Sequence, residues 1–182
     1  MVHFKKKLLF TFLCFLYTQN VSGECTFKSS LFSKELQNPQ NLLSIEVQIP
    51  DSRKWVINSL KIVTGRTKNI QKKYKDNFPA KIKAIYNFGV CNFDARIRQN
   101  GDWKDHIRLT DEGKLLSSID VRLTTGNILN SVRFKLLLPE TRGSKNEILG
   151  SLILRHLNFL SPETFLVQAT INDSSGTFLF QE

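Results

Sequence analysis

Acidic residues are scarce in this chain. Sixteen Asp and Glu face 26 Lys and Arg, for a formal charge of +10. That balance suits an acidic partner such as a nucleotide, a phospholipid or an anionic glycan, without naming one. Cysteine is nearly absent, with three in 182 residues, and their spacing fits no metal site. Internal repeats and low-complexity tracts are missing, which excludes solenoid and linker-like architectures. A Gly-rich phosphate loop and a nucleophile elbow are missing too, which removes P-loop NTPases and Ser/His/Asp hydrolases from consideration. Long apolar runs are limited to Leu8–Tyr17, too short to cross a hydrocarbon core of roughly 30 Å as a helix.

What is there begins with an export signal. Lys5, Lys6 and Lys7 precede that apolar run, and Val21 and Gly23 put small residues where a signal peptidase cuts. Residues 1–23 therefore read as a signal peptide, with an uncleaved anchor as the alternative. Glu24 before Cys25 argues against a lipoprotein. Removal takes three lysines and no acid, so the mature chain keeps a net charge of +7. It has no transmembrane segment, and export to the periplasm, cell surface or medium disfavours nucleic acid as a partner. Cys14 leaves with the signal. The remaining Cys25 and Cys91 are expected to pair, closing a loop of about 65 residues and stabilising by roughly 4 kcal/mol on the chain-entropy model.

Along the mature chain the apolar pattern has period two in most segments. Residues 42–50 alternate through Leu43, Ile45, Val47 and Ile49, and Pro50 stops them. Residues 52–65 show Trp55, Val56, Leu60 and Val63 near helical spacing, with Gly65 closing. Residues 66–81 form a basic connector. Ile82, Ala84 and Tyr86 then face Cys91, Phe93, Ala95 and Ile97 across a turn, leaving Asp94, Arg96 and Arg98 outward. Ile119, Val121 and Leu123 alternate with Asp120 and Arg122. Val132, Phe134, Leu136 and Leu138 define the next strand. Residues 144–159 make the best helix, with a capping box of Ser144 and Glu147 and a buried stripe of Ile148, Leu149, Leu152, Ile153 and Leu157. Residues 161–182 form a last hairpin. The expected fold is α+β: a twisted antiparallel sheet with one long packed helix. Because the chain stops at Glu182 in an apolar strand, it reads as the front of a longer, incomplete protein.

The order of pieces from "ARIRQNGDWKDHI" through "SSIDVRL" and "FKLLLPETRGSKNEILGSLILRHLNF" to "FLVQATINDSSGTFLFQE" resembles the amino-terminal part of the CotH family, spore-coat-protein-H-like atypical protein kinases. Residues 93–182 carry the resemblance, with Asn172, Gly176 and Glu182 at matching places; residues 24–92 have no assigned role. It implies a kinase small-lobe-like unit next to ATP and Mg, belonging to an enzyme that phosphorylates exported or envelope proteins. In that frame a basic strand residue holds phosphate, and a helix glutamate orients it. Arg122 and Lys135 are the candidates for the first role and Glu147 for the second. Glu182 falls where two lobes would join. The sequence departs from the family at Leu116 and Ser117, where a lysine pair is usual. The aspartates the family uses for catalysis and metal lie beyond Glu182, so this chain alone is not expected to catalyse phosphoryl transfer.

The segment Asn100–His106 reads mainly as a tight turn, with an anionic-ligand loop using Lys104 and His106 as the functional alternative. A metal at Asp102, Asp105 and His106 would need a further ligand. Glu140 and Arg142 form either a local ion pair or an anion site before the helix. His156 reads as a partly buried packing residue, and Asn172 opens a glycosylation sequon. The alternative function is a non-catalytic envelope or surface module that binds an anionic glycan or a protein partner.

Overall fold

The computed structural model describes residues 23–26 and 33–182. The signal-peptide reading covers residues 1–23, and all of it but Gly23 lies outside the described residues. The elements are β1 (Glu24–Cys25), α1 (Ser33–Leu36), β2 (Leu42–Gln48), α2 (Ser52–Thr64), β3 (Phe78–Tyr86), β4 (Gly89–Gln99), β5 (Ile107–Leu109), β6 (Leu115–Ser117), β7 (Ile119–Leu123), β8 (Arg133–Leu137), α3 (Lys145–His156), β9 (Thr164–Ile171) and β10 (Ser174–Gln181).

Seven strands follow one another in the order β4, β3, β2, β9, β10, β8, β7, and β7 pairs back onto β4 to close a barrel. Neighbours are antiparallel except β2 and β9, which run parallel from Ser44↔Gln168 to Val47↔Ile171. β4 makes closure possible because it is long. One edge pairs with β3 over Gly89–Ile97, while the other meets β7 over Ala95–Gln99 and leaves room for β1 at Cys91 and Asn92.

Period-two alternation drives this arrangement, since each strand offers one apolar face to the lumen and one to the outside. Ile45, Ile82, Ile97, Ile119, Val121, Phe134 and Phe178 are fully enclosed. Ala84, Ala95 and Ala169 admit the larger rings, and Phe180 stacks between Phe134 and Phe165 at centroid distances of 4.7 and 4.9 Å. α2 plugs one mouth. Trp55 meets Phe78 edge-on at 5.2 Å, and Gln99 Nε2 donates to Ser59 Oγ at 2.6 Å. Asn172 secures the parallel seam beside it: its Oδ1 accepts from the Ile49 N–H at 2.8 Å and its own N–H donates to the Val47 carbonyl. The Cys25–Cys91 disulfide is present and ties β1 to the wall, as an exported chain would have it.

Several expectations are overturned. The α+β fold with a kinase small-lobe-like sheet and one long packed helix gives way to a closed β-barrel with three short helices. Local alternation reveals strands, but the β2–β9 pairing that shuts the barrel joins segments more than a hundred residues apart, and no local pattern encodes it. The helix expectation fails with it. A closed barrel fills its main apolar core inside, and α3 meets the outer wall through polar groups, with Glu147 bonded to Gln181 and Ser151 to Thr164. Ser151 is the one buried residue of α3 and bonds Thr164 Oγ1 at 3.1 Å. Leu149, Leu152, Ile153 and Leu157 point away from the wall and are exposed, as is His156. The capping box is absent as well: Ser144 lies at φ 50° and makes no side-chain cap bond, and Glu147 accepts from Gln181 Nε2 at 2.8 Å. In α2 the buried positions are Trp55, Ser59 and Ile62, so Val56, Leu60 and Val63 lie on the outer side.

Candidate anion-binding site

The outward positions of β4, β7 and β8 carry a concentration of cations. Their register aligns two cross-strand rows. In the first, Arg96 pairs with Arg122 and Arg122 with Arg133. In the second, Arg98 pairs with Asp120 and Asp120 with Lys135. Neighbouring strands are ~4.8 Å apart, so the first row is three arginines side by side with no acid between them. Like charges directly opposite on a sheet destabilise it, and the fold carries that cost at two consecutive pairings.

Asp120 sits in the middle and is 4 % exposed. Arg133 grips both carboxylate oxygens, with Nε 3.0 Å from Oδ1 and a terminal nitrogen 2.6 Å from Oδ2. Arg98 forks onto Oδ2 at 3.0 and 2.7 Å. Burial pushes the Asp120 carboxyl up, but the hydrogen bonds from Arg133 and Arg98 outweigh it and hold the group below the usual carboxylate range. One carboxylate thus fixes two guanidinium planes and cancels one of their charges. The other ion pair on this face joins Lys81 to Asp94, leaving Arg96 and Arg122 exposed and without an acidic partner among the described residues.

Two open clefts share Arg98, Asp120 and Arg133 as a common wall. The smaller, about 240 Å³, is lined on its far side by Arg96 and Arg122. The larger, about 430 Å³, is bounded by Lys75, Lys135, Arg142 and His106. Gly101 is required at its rim: its φ of +101° and the His106 ring, 2.1 Å from where a Cβ would stand, exclude any side chain. His106 Nδ1 lies 3.0 Å from Ser118 Oγ, and the Leu138 N–H donates to that same oxygen at 2.9 Å. Burial is the largest influence and lowers the His106 pKa; Asp105 opposes it, Arg142 adds to it, and Asp102 and Lys75 exert smaller effects of opposite sense.

The candidates from the sequence separate accordingly. Arg122 and Lys135 come to this face, on neighbouring strands and in different rows. Glu147 is held by Gln181 on the far side of β8, and the Glu182 carboxylate accepts from Ser131 Oγ at 2.8 Å. Lys104 turns to α2, where its ammonium bonds the Val63 carbonyl at 3.1 Å and the Gly65 carbonyl, capping the helix end. Asp102 is occupied by Lys75 at 2.8 Å, which holds its carboxyl below the usual range. Among the described residues no group of three or more His, Cys, Asp and Glu gathers as a metal would require. Glu140 pairs with Arg108 at 3.2 Å and not with Arg142. Arg96, Arg98 and Arg133 were not among the site candidates. Their signal was the recurrence of basic residues at outward positions of three separate strands, which means little until those strands are known to be neighbours.

No family model matches the chain, and no curated protein matches it. The fold and the face together define a closed seven-stranded β-barrel with a cationic outer wall, and among the described residues no helix is long and apolar enough to cross a membrane.

Proposed function

We propose that this protein is a non-catalytic module of the cell envelope or surface that binds an anionic glycan along the outer face of β4, β7 and β8. The observation that carries this reading is the row Arg96, Arg122, Arg133. Three guanidinium groups in a row, two of them free of acidic partners among the described residues, match acidic groups repeated along a chain better than a single compact anion. Asp120 supports it by preorganising Arg98 and Arg133, so that less side-chain freedom is lost when ligand arrives. The contact is exposed, so its strength depends on ionic strength.

Salt elution from immobilised heparin, with neutral dextran as control, tests the reading. The parent is retained on heparin alone, and Arg96→Gln with Arg122→Gln elutes at clearly lower salt with an unchanged melting temperature. Co-elution of parent and double variant overturns it. The CotH-like resemblance supplies the competing partner set of ATP, Mg and an exported protein substrate. Lys135 and Arg142 beside the larger cleft are the groups that would meet a phosphate. A melting-temperature rise with millimolar Mg-ATP that Lys135→Gln abolishes would favour that reading over the glycan.

A further inference from the structure

α3 is amphipathic in the reverse sense. Glu147, Ser151 and Arg155, spaced four apart, face the barrel and bond Gln181, Thr164 and Glu163. The stripe Leu149, Leu152, Ile153 and Leu157 faces solvent at 56, 50, 49 and 57 % exposure. The turn that follows extends it, with Phe159 at 62 % and Leu160 at 103 % exposure. That turn is built rather than loose: Asn158 takes φ 61°, its N–H reaches the Arg155 carbonyl, and the Phe159 N–H reaches the Leu154 carbonyl. Single exposed apolar residues need no explanation, but six large ones along one ridge exceed what monomers usually leave uncovered.

We propose that α3 and its following turn seat the barrel on an anionic lipid surface. Three observations select lipid as the occupant. The patch is a ridge with its apex at Leu160, wholly exposed; a protein partner would have to supply a matching socket, whereas acyl chains close around any protruding apolar tip. Cations stand at the start of α3, where Arg142 and Lys145 are exposed. Apolar insertion combined with basic residues beside it is the pairing by which interfacial helices hold anionic membranes. Finally, the chain's +10 charge opposes bringing two copies together but favours an anionic surface.

Co-sedimentation with phosphatidylcholine vesicles, with and without phosphatidylglycerol, provides the test. The chain from Glu24 onward partitions onto the anionic vesicles. Leu152→Asp with Leu160→Asp lowers that partition by about tenfold or more while melting as the parent does. In vesicles of brominated lipid, the fluorescence of a Phe159→Trp variant is quenched beyond that of the parent's Trp55 and Trp103. This quenching persists in the Arg96→Gln and Arg122→Gln background, so failure of the glycan reading leaves the lipid contact standing, and the reverse. The proposal is overturned if the double Asp variant binds vesicles like the parent, if Phe159→Trp adds no quenching, or if the parent sediments as a dimer that the Asp substitutions dissociate.

Discussion

α2 and α3 have similar lengths and similarly apolar sequences, yet the barrel treats them oppositely. α2 lies across an open mouth, where the ends of β3 and β4 present Phe78 and Gln99, and it buries Trp55, Ser59 and Ile62 there. α3 lies against a side wall whose outward residues beneath it are Thr164 and Gln181, and it buries Ser151 alone. An apolar stripe specifies that a helix will seek cover; it does not specify whether the fold has cover to give. Here the mouth offers α2 apolar cover, whereas α3 meets its stretch of wall through polar bonds to Thr164 and Gln181.

The largest expected effect comes from pulling the plug. Trp55→Ala should destabilise by about 3–5 kcal/mol, read as a lower denaturant midpoint, because the ring is 2 % exposed and its cavity opens between α2 and Phe78. A loss under about 1 kcal/mol would mean α2 is no more integral than α3. Cys25→Ser with Cys91→Ser comes next, at about 4 kcal/mol, since the bridge spans 66 positions; chemical denaturation of the oxidised parent against the variant measures it. That loss should add to that of Trp55→Ala, because the two sites lie apart and share no partners.

A smaller effect is set by pH. His106 belongs to the segment whose Lys104 caps α2, and burial depresses its folded pKa. The unfolded chain protonates this histidine near its ordinary value of about 6.5, while the folded one resists until lower pH. The stabilisation is therefore complete above ~6.5 and is lost as pH falls through the folded pKa. Denaturation midpoints between pH 7.5 and 5 should decline in the parent and decline less in His106→Gln. The smallest effect belongs to the other helix. Leu152→Gln should shift stability by no more than about 0.5 kcal/mol, and a loss above 2 kcal/mol would show that α3 is covered after all.

Much of the wall was legible from alternation. The inward residues of β3, β4 and β7 are those that period two selects, and Cys25 pairs with Cys91 as export suggested. The cationic face was half legible: Arg96, Arg98, Asp120 and Arg122 read as outward, but nothing in their strands announced that Arg96 would stand opposite Arg122 and Arg122 opposite Arg133. Lys104 and Glu147 could not be placed from sequence because a charged side chain near a loop or helix start has several local uses. Capping α2 and bonding Gln181 were choices made by distant segments.

By itself the sequence determined where most of the wall strands lie, which face of β3, β4 and β7 is apolar, that the chain is basic, and that Cys25 has Cys91 to pair with. These follow from side-chain chemistry at fixed short spacing, where the backbone period does the sorting. Tertiary structure alone decided that β2 meets β9 in parallel, that the sheet therefore closes, and that three arginines from three strands become one row. It also decided that the apolar side of α3 turns outward. Each of those depends on which surfaces are still available once the strands have paired, and that availability is a property of the whole barrel.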